Sequence, residues 1–275
     1  MERDDLRSLL REVKSGGFMV PEGFKPFTLA SDMMNYLGDT DGELRDNLIY
    51  SILSNWIVKG ILSTWEVNQI LAISLDDRHL LYGLGNTDDT VFVRTFSLLI
   101  IAAAIYRHRS TGYLSSEMIN NVLEKVLKLY NEDNDVRAYV EGKGWADGVS
   151  HGADALDELA RCEEAGYEGL KRILNAIQKK VNINWYSYCH DEDERMVTAV
   201  TAILDKKLIP ENEEIEWIES FAKLTLTGHY PTDLVLSVNI KNFLRSLYFR
   251  LAGKAGYTRI TDVTVEILNK MNKYR

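Results

Sequence analysis

The chain has 275 residues, of which 45% are hydrophobic and 10% aromatic, with four prolines and a formal net charge of −9. This composition is typical of a folded protein with a large core and excludes a disordered or linker-rich chain. The acidic balance argues against nucleic acid as a partner, because binding to phosphates needs clustered lysine and arginine.

Signals for export or membrane insertion are weak. The N-terminal stretch MERDDLRSLLREVKSGG is charged and amphipathic, whereas a signal peptide has an apolar run behind a basic start. The longest apolar stretch, at 96–106, has about half the length of a bilayer span. Two cysteines are too few for a disulfide framework. We therefore expect a cytoplasmic protein with no membrane partner.

Apolar residues recur at helical spacing along nearly the whole chain, and no sustained apolar and polar alternation rises above this pattern. The sequence therefore predicts an all-α fold. Glycine and proline break the periodic runs, and Ser115 before Met118 is typical of a helix start. The predicted helices are 3–14, 26–37, 42–59, 65–84, 89–108, 115–130, 134–141, 144–162, 167–181, 190–205, 211–226, 232–252 and 259–273.

A weak internal repeat places an aspartate at a helix start and an arginine about one turn later. The four copies are Asp41/Arg45, Asp89/Arg94, Asp133/Arg137 and Asp191/Arg195. The arginines are 49, 43 and 58 positions apart, which brackets the period of roughly 40 to 47 in HEAT repeats. We expect each aspartate to accept from free helix amides, and each arginine to reach the acidic residue of the adjacent repeat.

This repeat predicts one helical-repeat domain over residues 1–275, an α-solenoid of the HEAT/ARM type with about five or six helical pairs. An irregular helical bundle is the alternative. A solenoid has a concave face built from one helix of each pair, and such faces usually bind a partner.

The densest set of chemically active side chains lies between residues 133 and 162. On the predicted helix 144–162, four polar residues share one stripe, opposite an aliphatic face. They are Asp147, His151, Asp154 and Glu158. Glycine recurs every four residues beside them, at 144, 148 and 152. Glycine is unfavourable inside a helix, so this spacing predicts the close approach of either a neighbouring helix or a ligand.

This stretch resembles the motif RGYxxxxGWAHAxAHGADLLxxLA of an uncharacterised bacterial family known only as a domain of unknown function. The matching segments are RAY at 137–139, GWAD at 144–147 and SHGAD at 150–154, and weaker likeness extends from about 40 to 250. The resemblance implies a helical, HEAT-like fold and no established activity. Asp147 stands where the family pattern has its first histidine, so an Asp and His pair replaces two histidines.

A metal-assisted hydrolase is one interpretation of these residues. Asp147 and His151 are separated by about 6 Å along a helix axis and can reach one ion. His190, at the start of a later helix, is the third candidate ligand. Carboxylate and imidazole ligands together suit a divalent metal such as Zn, Mn or Fe. The candidate catalytic residues are His151 and Asp154, because an imidazole between carboxylates can act as a general acid or base.

A binding protein is the favoured interpretation. No matched nucleophile lies nearby, and the chain has no P-loop, HExxH, GxSxG or GxGxxG motif. We predict a concave-face site for a peptide, a protein or a small polar ligand. Its candidate ligand-binding residues are Trp145, Asp147, His151, Asp154, Asp193 and Arg195. A third interpretation is that the polar stripe is buried between repeats and has a purely structural role.

The tryptophans are expected mainly in the core. Trp145 falls on the apolar side of the predicted helix 144–162, although Trp and Tyr are also frequent at recognition surfaces. Trp56, Trp65 and Trp217 lie in apolar helical runs and are expected to pack within or between repeats.

Overall fold

The computed structural model describes residues 1–223 and 226–272, and these residues are almost entirely helical. The all-α prediction is therefore confirmed. The chain divides into two compact units, residues 1–159 and residues 160–275. Within the described part of the chain, the only strands form a two-stranded antiparallel hairpin.

The first unit contains seven α-helices, a π-helix and the hairpin. In chain order these are α1 (Arg3–Ser15), α2 (Pro26–Met34), the π-helix (Glu43–Tyr50) that runs into α3 (Ser51–Lys59), α4 (Thr64–Ser74), α5 (Thr90–Thr111), α6 (Ser116–Glu132), β1 (Tyr139–Val140), β2 (Gly144–Trp145) and α7 (Gly148–Arg161). Local sequence explains several helix starts. Ser63 and Glu66 form a capping box at α4, and the Ser115 hydroxyl accepts from the Met118 amide at α6, as predicted.

Helix α5 lies in the core of the first unit, and both α3 and α4 pack against it. Its length and composition are sufficient for a membrane span, with a mean hydropathy of 1.6 in its most apolar window. This differs from the sequence expectation, because the helix extends beyond the apolar run 96–106 at both ends. However, 72% of that window is buried inside the structure, and the core helix of a soluble protein passes the same test.

The predicted helix 65–84 is wrong in its second half. Helix α4 ends at Ser74, and residues 75–89 form a succession of turns. Gly83 has a left-handed φ of 64°, and a Cβ on it would lie 2.3 Å from the Thr90 hydroxyl oxygen. The left-handed backbone and the close approach at Gly83 are incompatible with a helix there, although the apolar spacing of the sequence suits one.

The aspartate and arginine repeat is realised only in part. Arg94 is fully buried and donates to the Asp133 carboxylate of the next copy at 2.8 Å, as predicted. The Asp41 carboxylate accepts from the Glu43 amide at 2.9 Å, which is the predicted capping role. Arg45 departs from the prediction, because it donates to the backbone carbonyls of Asp39, Lys143 and Trp145.

The second unit contains five α-helices within its described residues. They are α8 (Gly166–Val181), α9 (Glu192–Lys206), α10 (Glu211–Ser220), α11 (Tyr230–Leu251) and α12 (Thr258–Met271), with a short 3-10 turn at Glu163–Ala165. Helix α11 contacts α8, α9 and α12. In the core of the second unit, the rings of Trp217, Phe221 and Phe243 form an aromatic cluster. Residues 224–225 of the predicted helix 211–226, and residue 273 of the predicted helix 259–273, lie outside the described residues.

Candidate functional site

The polar stretch before α7 forms a hairpin in place of the predicted helix 134–141 and the first residues of the predicted helix 144–162. Helix α7 confirms the second prediction over residues 148–161. Strands β1 and β2 pair Tyr139 with Trp145, and Gly144 has a left-handed φ of 84°. Asp147 also has a positive φ, 51°, and directly precedes the first residue of α7. The prediction that Asp147 shares a helical stripe with His151 is therefore wrong, because the helix starts one residue after it.

Asp147 instead closes the first turn of α7. Its backbone carbonyl accepts from the His151 amide at 2.8 Å, and its carboxylate lies 3.4 Å from the Ser150 hydroxyl, which donates to it. The residue that directly precedes a helix accepts the first intrahelical hydrogen bond on its carbonyl, as Asp147 does here. The structure therefore places Asp147 at the position that precedes α7, with its carboxylate near the Ser150 hydroxyl of the first turn.

Arg45 holds the hairpin in place from the π-helix. Its guanidinium lies 4.0 Å from the Phe92 ring centre and donates to the carbonyls of Lys143 and Trp145 at 2.8 and 3.0 Å. The Arg45 side chain is fully buried, and burial lowers the pKa of its guanidinium to about 10, against the opposing effect of nearby Asp46. The hairpin is thus anchored by a long-range contact to residues far away in sequence.

His151 lies inside the first unit. Its side chain is only 9% exposed, and its ring meets the Phe96 ring edge-on at 5.3 Å between centres. The neighbouring Gly152 has no room for a side chain, because a Cβ would lie 2.4 Å from the Tyr130 ring. Burial, with a smaller effect from the Asp154 charge, raises the pKa of Tyr130 above its usual range.

Of the two explanations for the glycine spacing, a packed helix is the correct one at Gly152, since Tyr130 belongs to α6. Gly148 similarly lies against Thr95 of α5, where a Cβ would be 3.2 Å from the threonine methyl. Gly144 is outside the helix, in β2. The regular spacing of the three glycines therefore has no single structural cause.

Asp154 lies on a groove between α3, α5 and α7 with a volume of about 300 Å³. We call this cavity the acidic groove. Its lining residues are Tyr50, Ser54, Val58, Leu99, Ala102, Ala103, Tyr106, Asp154, Asp157 and Glu158. Small and aliphatic side chains of α5 and α3 line one part, two tyrosines line another, and three carboxylates of α7 complete it.

The three carboxylates follow from the geometry of α7. Positions 154, 157 and 158 are spaced i, i+3 and i+4, so they lie on one face of the helix. Glu158 forms an ion pair with Arg109 at 2.5 Å, and Arg109 also lies 5.8 Å from the Tyr106 ring centre. The sequence analysis placed Asp154 and Glu158 on one stripe but missed Asp157, which the same i+3 spacing indicates.

Two tryptophans are more exposed than the sequence predicts. Trp145 is 41% exposed and packs edge-on against Tyr139 at 5.1 Å between ring centres. Trp65 is 63% exposed and lies against Phe27. The core predictions for both residues are wrong, whereas those for the buried Trp56 and Trp217 are confirmed.

The remaining candidate residues belong to the second unit. Asp191 has a left-handed φ of 62° and precedes α9, so that its carbonyl accepts from the Arg195 amide at 3.1 Å. The Asp193 carboxylate accepts from the Ser246 hydroxyl of α11 at 2.5 Å. The His190 ring lies 3.4 Å from the Cys189 sulfur. Their shared use with Asp147 and His151 as metal ligands, and the hydrolase built on them, stays a prediction.

The fold and the groove define an all-α protein with a carboxylate-lined cavity. Residues 80–249, well over half of the chain, match a family described as "Protein of unknown function (DUF2785)". The chain belongs to this family, and the resemblance to a domain-of-unknown-function family is thereby confirmed. No curated protein and no solved structure matches the chain.

Proposed function

We propose that this protein is a binding protein whose acidic groove holds a positively charged group of a peptide, a partner protein or a small polar ligand. The observation that carries this proposal is the position of Asp154. This residue, a candidate ligand-binding residue by sequence, lines a groove together with Asp157 and Glu158. Three carboxylates on one wall favour a cationic ligand.

The rest of the lining fits the same ligand. Tyr50 and Tyr106 offer aromatic rings, whose faces attract ammonium and guanidinium groups. Leu99 and Ala102 offer apolar surface for an aliphatic stem, as lysine has between its backbone and its ammonium group. The volume of about 300 Å³ is at the lower end of ligand pockets, which favours a single side chain or a small amine.

The broader classification is also part of this proposal. We place the protein among bacterial, cytoplasmic proteins with HEAT-like helical repeats, arranged as an α-solenoid. Support comes from the helical composition of both units and from the Arg94 and Asp133 contact between successive copies of the repeat. In such a protein the groove would be one element of a concave binding face.

The test is titration of the isotope-labelled protein with the tripeptide acetyl-Gly-Lys-Gly-amide, followed by methyl NMR. We expect saturable shifts of the Leu99 and Val58 methyl groups, which line the groove. The same tripeptide with an acetylated lysine should cause no saturable shift, because acetylation removes the charge. Equal responses to both tripeptides, or shifts that leave Leu99 and Val58 unaffected, would contradict the proposal.

Two variants separate charge from shape. Asp154→Asn removes one carboxylate and should weaken lysine binding by about tenfold, which corresponds to roughly 1.4 kcal/mol. Ala102→Leu keeps the charge but fills the floor of the groove, and should abolish binding. Glu12→Gln, at an exposed position of α1, is the matched charge control and should bind as the unmodified protein does.

A further inference from the structure

A second cavity of the first unit lies beside the turns between α4 and α5. It has a volume of about 420 Å³, and its walls come from residues 35–39, from the turn segment 75–89 and from the start of α5. We call it the Arg78 pocket. None of its lining residues belongs to the acidic groove.

The turn segment is held firmly although it has no regular structure. Arg94 donates to three of its backbone carbonyls, within residues 82–86, at 2.9 to 3.2 Å. The His79 ring lies 2.7 Å from the Asp76 carboxylate and 3.3 Å from the Met34 carbonyl. Long connections without secondary structure are uncommon and are often functional, and a rigid support lets such a segment present side chains in fixed positions.

The two carboxylates that line the Arg78 pocket already have cationic partners. Asp39 accepts two hydrogen bonds from Arg3, at 2.6 and 2.8 Å. Asp89 is contacted by the Lys143 ammonium at 2.7 and 2.6 Å. Both negative charges are therefore compensated by the protein itself.

Arg78 and Tyr82 are the polar side chains left available to a ligand. Both are exposed, Tyr82 by 49%, and both line the pocket. Over residues 1–223 and 226–272, neither side chain has a hydrogen bond or an ion pair. An arginine fork that makes no hydrogen bond or ion pair among the described residues, in the same pocket as a phenol hydroxyl, suits the two oxygens of a carboxylate.

We propose that the Arg78 pocket binds a small aromatic monocarboxylate. Its carboxylate pairs with Arg78 and accepts from the Tyr82 hydroxyl, while its ring lies against Tyr36 and Val93. A single negative charge fits better than two, because Asp39 and Asp89 in the wall repel a second charge even when paired. This site is independent of the acidic groove and of the function proposed for it.

Three probes test this assignment: benzoate, the neutral and isosteric benzamide, and the larger dianion phenyl phosphate. Titration at millimolar concentrations, followed on the Val93 methyl groups, should show saturable binding of benzoate. Benzamide should bind at least about tenfold more weakly, because it lacks the charge that pairs with Arg78. Phenyl phosphate should also bind more weakly than benzoate.

The variant Arg78→Gln should lower the affinity for benzoate by about tenfold or more. The melting temperature should stay unchanged, because the exposed Arg78 side chain makes no hydrogen bond or ion pair with the described residues. Arg245→Gln, at an exposed position of α11, is the matched control and should leave benzoate binding unchanged. Equal affinity for benzoate and benzamide, an Arg78→Gln variant with full affinity, or no saturable benzoate binding would overturn the proposal. Tighter binding of phenyl phosphate would show that the pocket takes phosphate instead.

Discussion

The acidic groove and the Arg78 pocket lie along the same helix, α5, but the side chains that line them carry different charges. The middle and the C-terminal part of α5 contribute Leu99, Ala102 and Tyr106 to the groove, and its first turns contribute Thr90 and Val93 to the pocket. Acidic residues line both cavities. The described lining of the pocket includes an arginine, Arg78, whereas that of the groove includes no lysine or arginine. Cations outside the lining hold carboxylates in both cavities: Arg3 holds Asp39, Lys143 holds Asp89 and Arg109 holds Glu158.

The number of acidic residues that line a cavity therefore does not determine the charge of the ligand that the cavity selects. The charges of the whole lining determine it, because an arginine in the lining, such as Arg78, can pair with an anion, while a carboxylate already held by a cation attracts a second cation less. The chain as a whole carries a charge of −9, yet its structure provides an exposed arginine for an anion. The following substitutions test this difference between the two cavities.

The largest effect is expected from Arg94→Met. Arg94 is fully buried and binds both the turn segment 75–89 and Asp133, so its loss leaves a buried carboxylate without that cation. We expect unfolding free energy to fall by about 3 to 5 kcal/mol, measured by urea denaturation, and benzoate binding at the Arg78 pocket to be lost. The lysine tripeptide should still bind in the groove under native conditions.

The double variant Arg94→Met/Asp133→Asn is the control for this prediction. Removing the second charge of a buried pair should recover part of the lost stability. If the double variant is less stable than Arg94→Met alone, the buried charge of Asp133 is not the cause of the destabilisation.

An intermediate effect is expected from Arg3→Gln, and it depends on pH. Burial acts to raise the pKa of Asp39, but hydrogen bonds from Arg3 and the Asp41 amide hold that pKa below its usual value. The contact therefore contributes stability above the unfolded pKa of about 3.9, and this contribution is lost as the pH falls through the lower folded pKa. Arg3→Gln should lower the unfolding free energy by up to about 1 kcal/mol at neutral pH.

The difference between Arg3→Gln and the unmodified protein should disappear in acid, when both are compared by urea denaturation across the pH range. Arg3→Gln should also weaken benzoate binding severalfold at neutral pH, because it leaves Asp39 in the pocket wall without that cation. A constant difference at all pH values would show that Arg3 acts through packing rather than through its charge.

The smallest effect is expected from Arg109→Gln at the edge of the acidic groove. Its ion pair with Glu158 is partly exposed, so stability should change by only about 0.2 to 1 kcal/mol. Affinity for the lysine tripeptide should rise by a few fold, because the groove loses a neighbouring positive charge. A fall in affinity would mean that Arg109 holds Glu158 in the orientation that the ligand requires.

The elements best predicted from the sequence are those in which helix periodicity and capping residues agree. The position of α6 followed from its apolar stripe and from Ser115 at its start. The prediction failed at residues 134–147, where the local pattern suits a helix but distant residues decide the outcome. Arg45 binds the carbonyls of Lys143 and Trp145 across about a hundred positions of sequence, and no local pattern shows such a contact.

The candidate site was likewise predicted in part. Asp154 and Glu158 share a face because α7 is regular through that region, and the groove confirms this spacing. The groove's other wall comes from α3 and α5, which the sequence alone cannot place beside α7. Arg78 and Tyr82 were not predicted as site residues, because the sequence pattern predicts a helix over residues 65–84, where the structure has the turn segment that carries them.

The π-helix at Glu43–Tyr50 continues directly into α3, and this continuous helix contacts both the hairpin and the groove. Its wider winding turns each residue through a smaller angle than an α-helix does, so Arg45 reaches the hairpin while Tyr50, Ser54 and Val58 reach the groove. Deleting one residue from this stretch would let it relax to ordinary winding and rotate one set of side chains away from its target. The π-helical winding therefore sets the angle, around the helix axis, between Arg45, which anchors the hairpin, and the residues Tyr50, Ser54 and Val58, which line the groove.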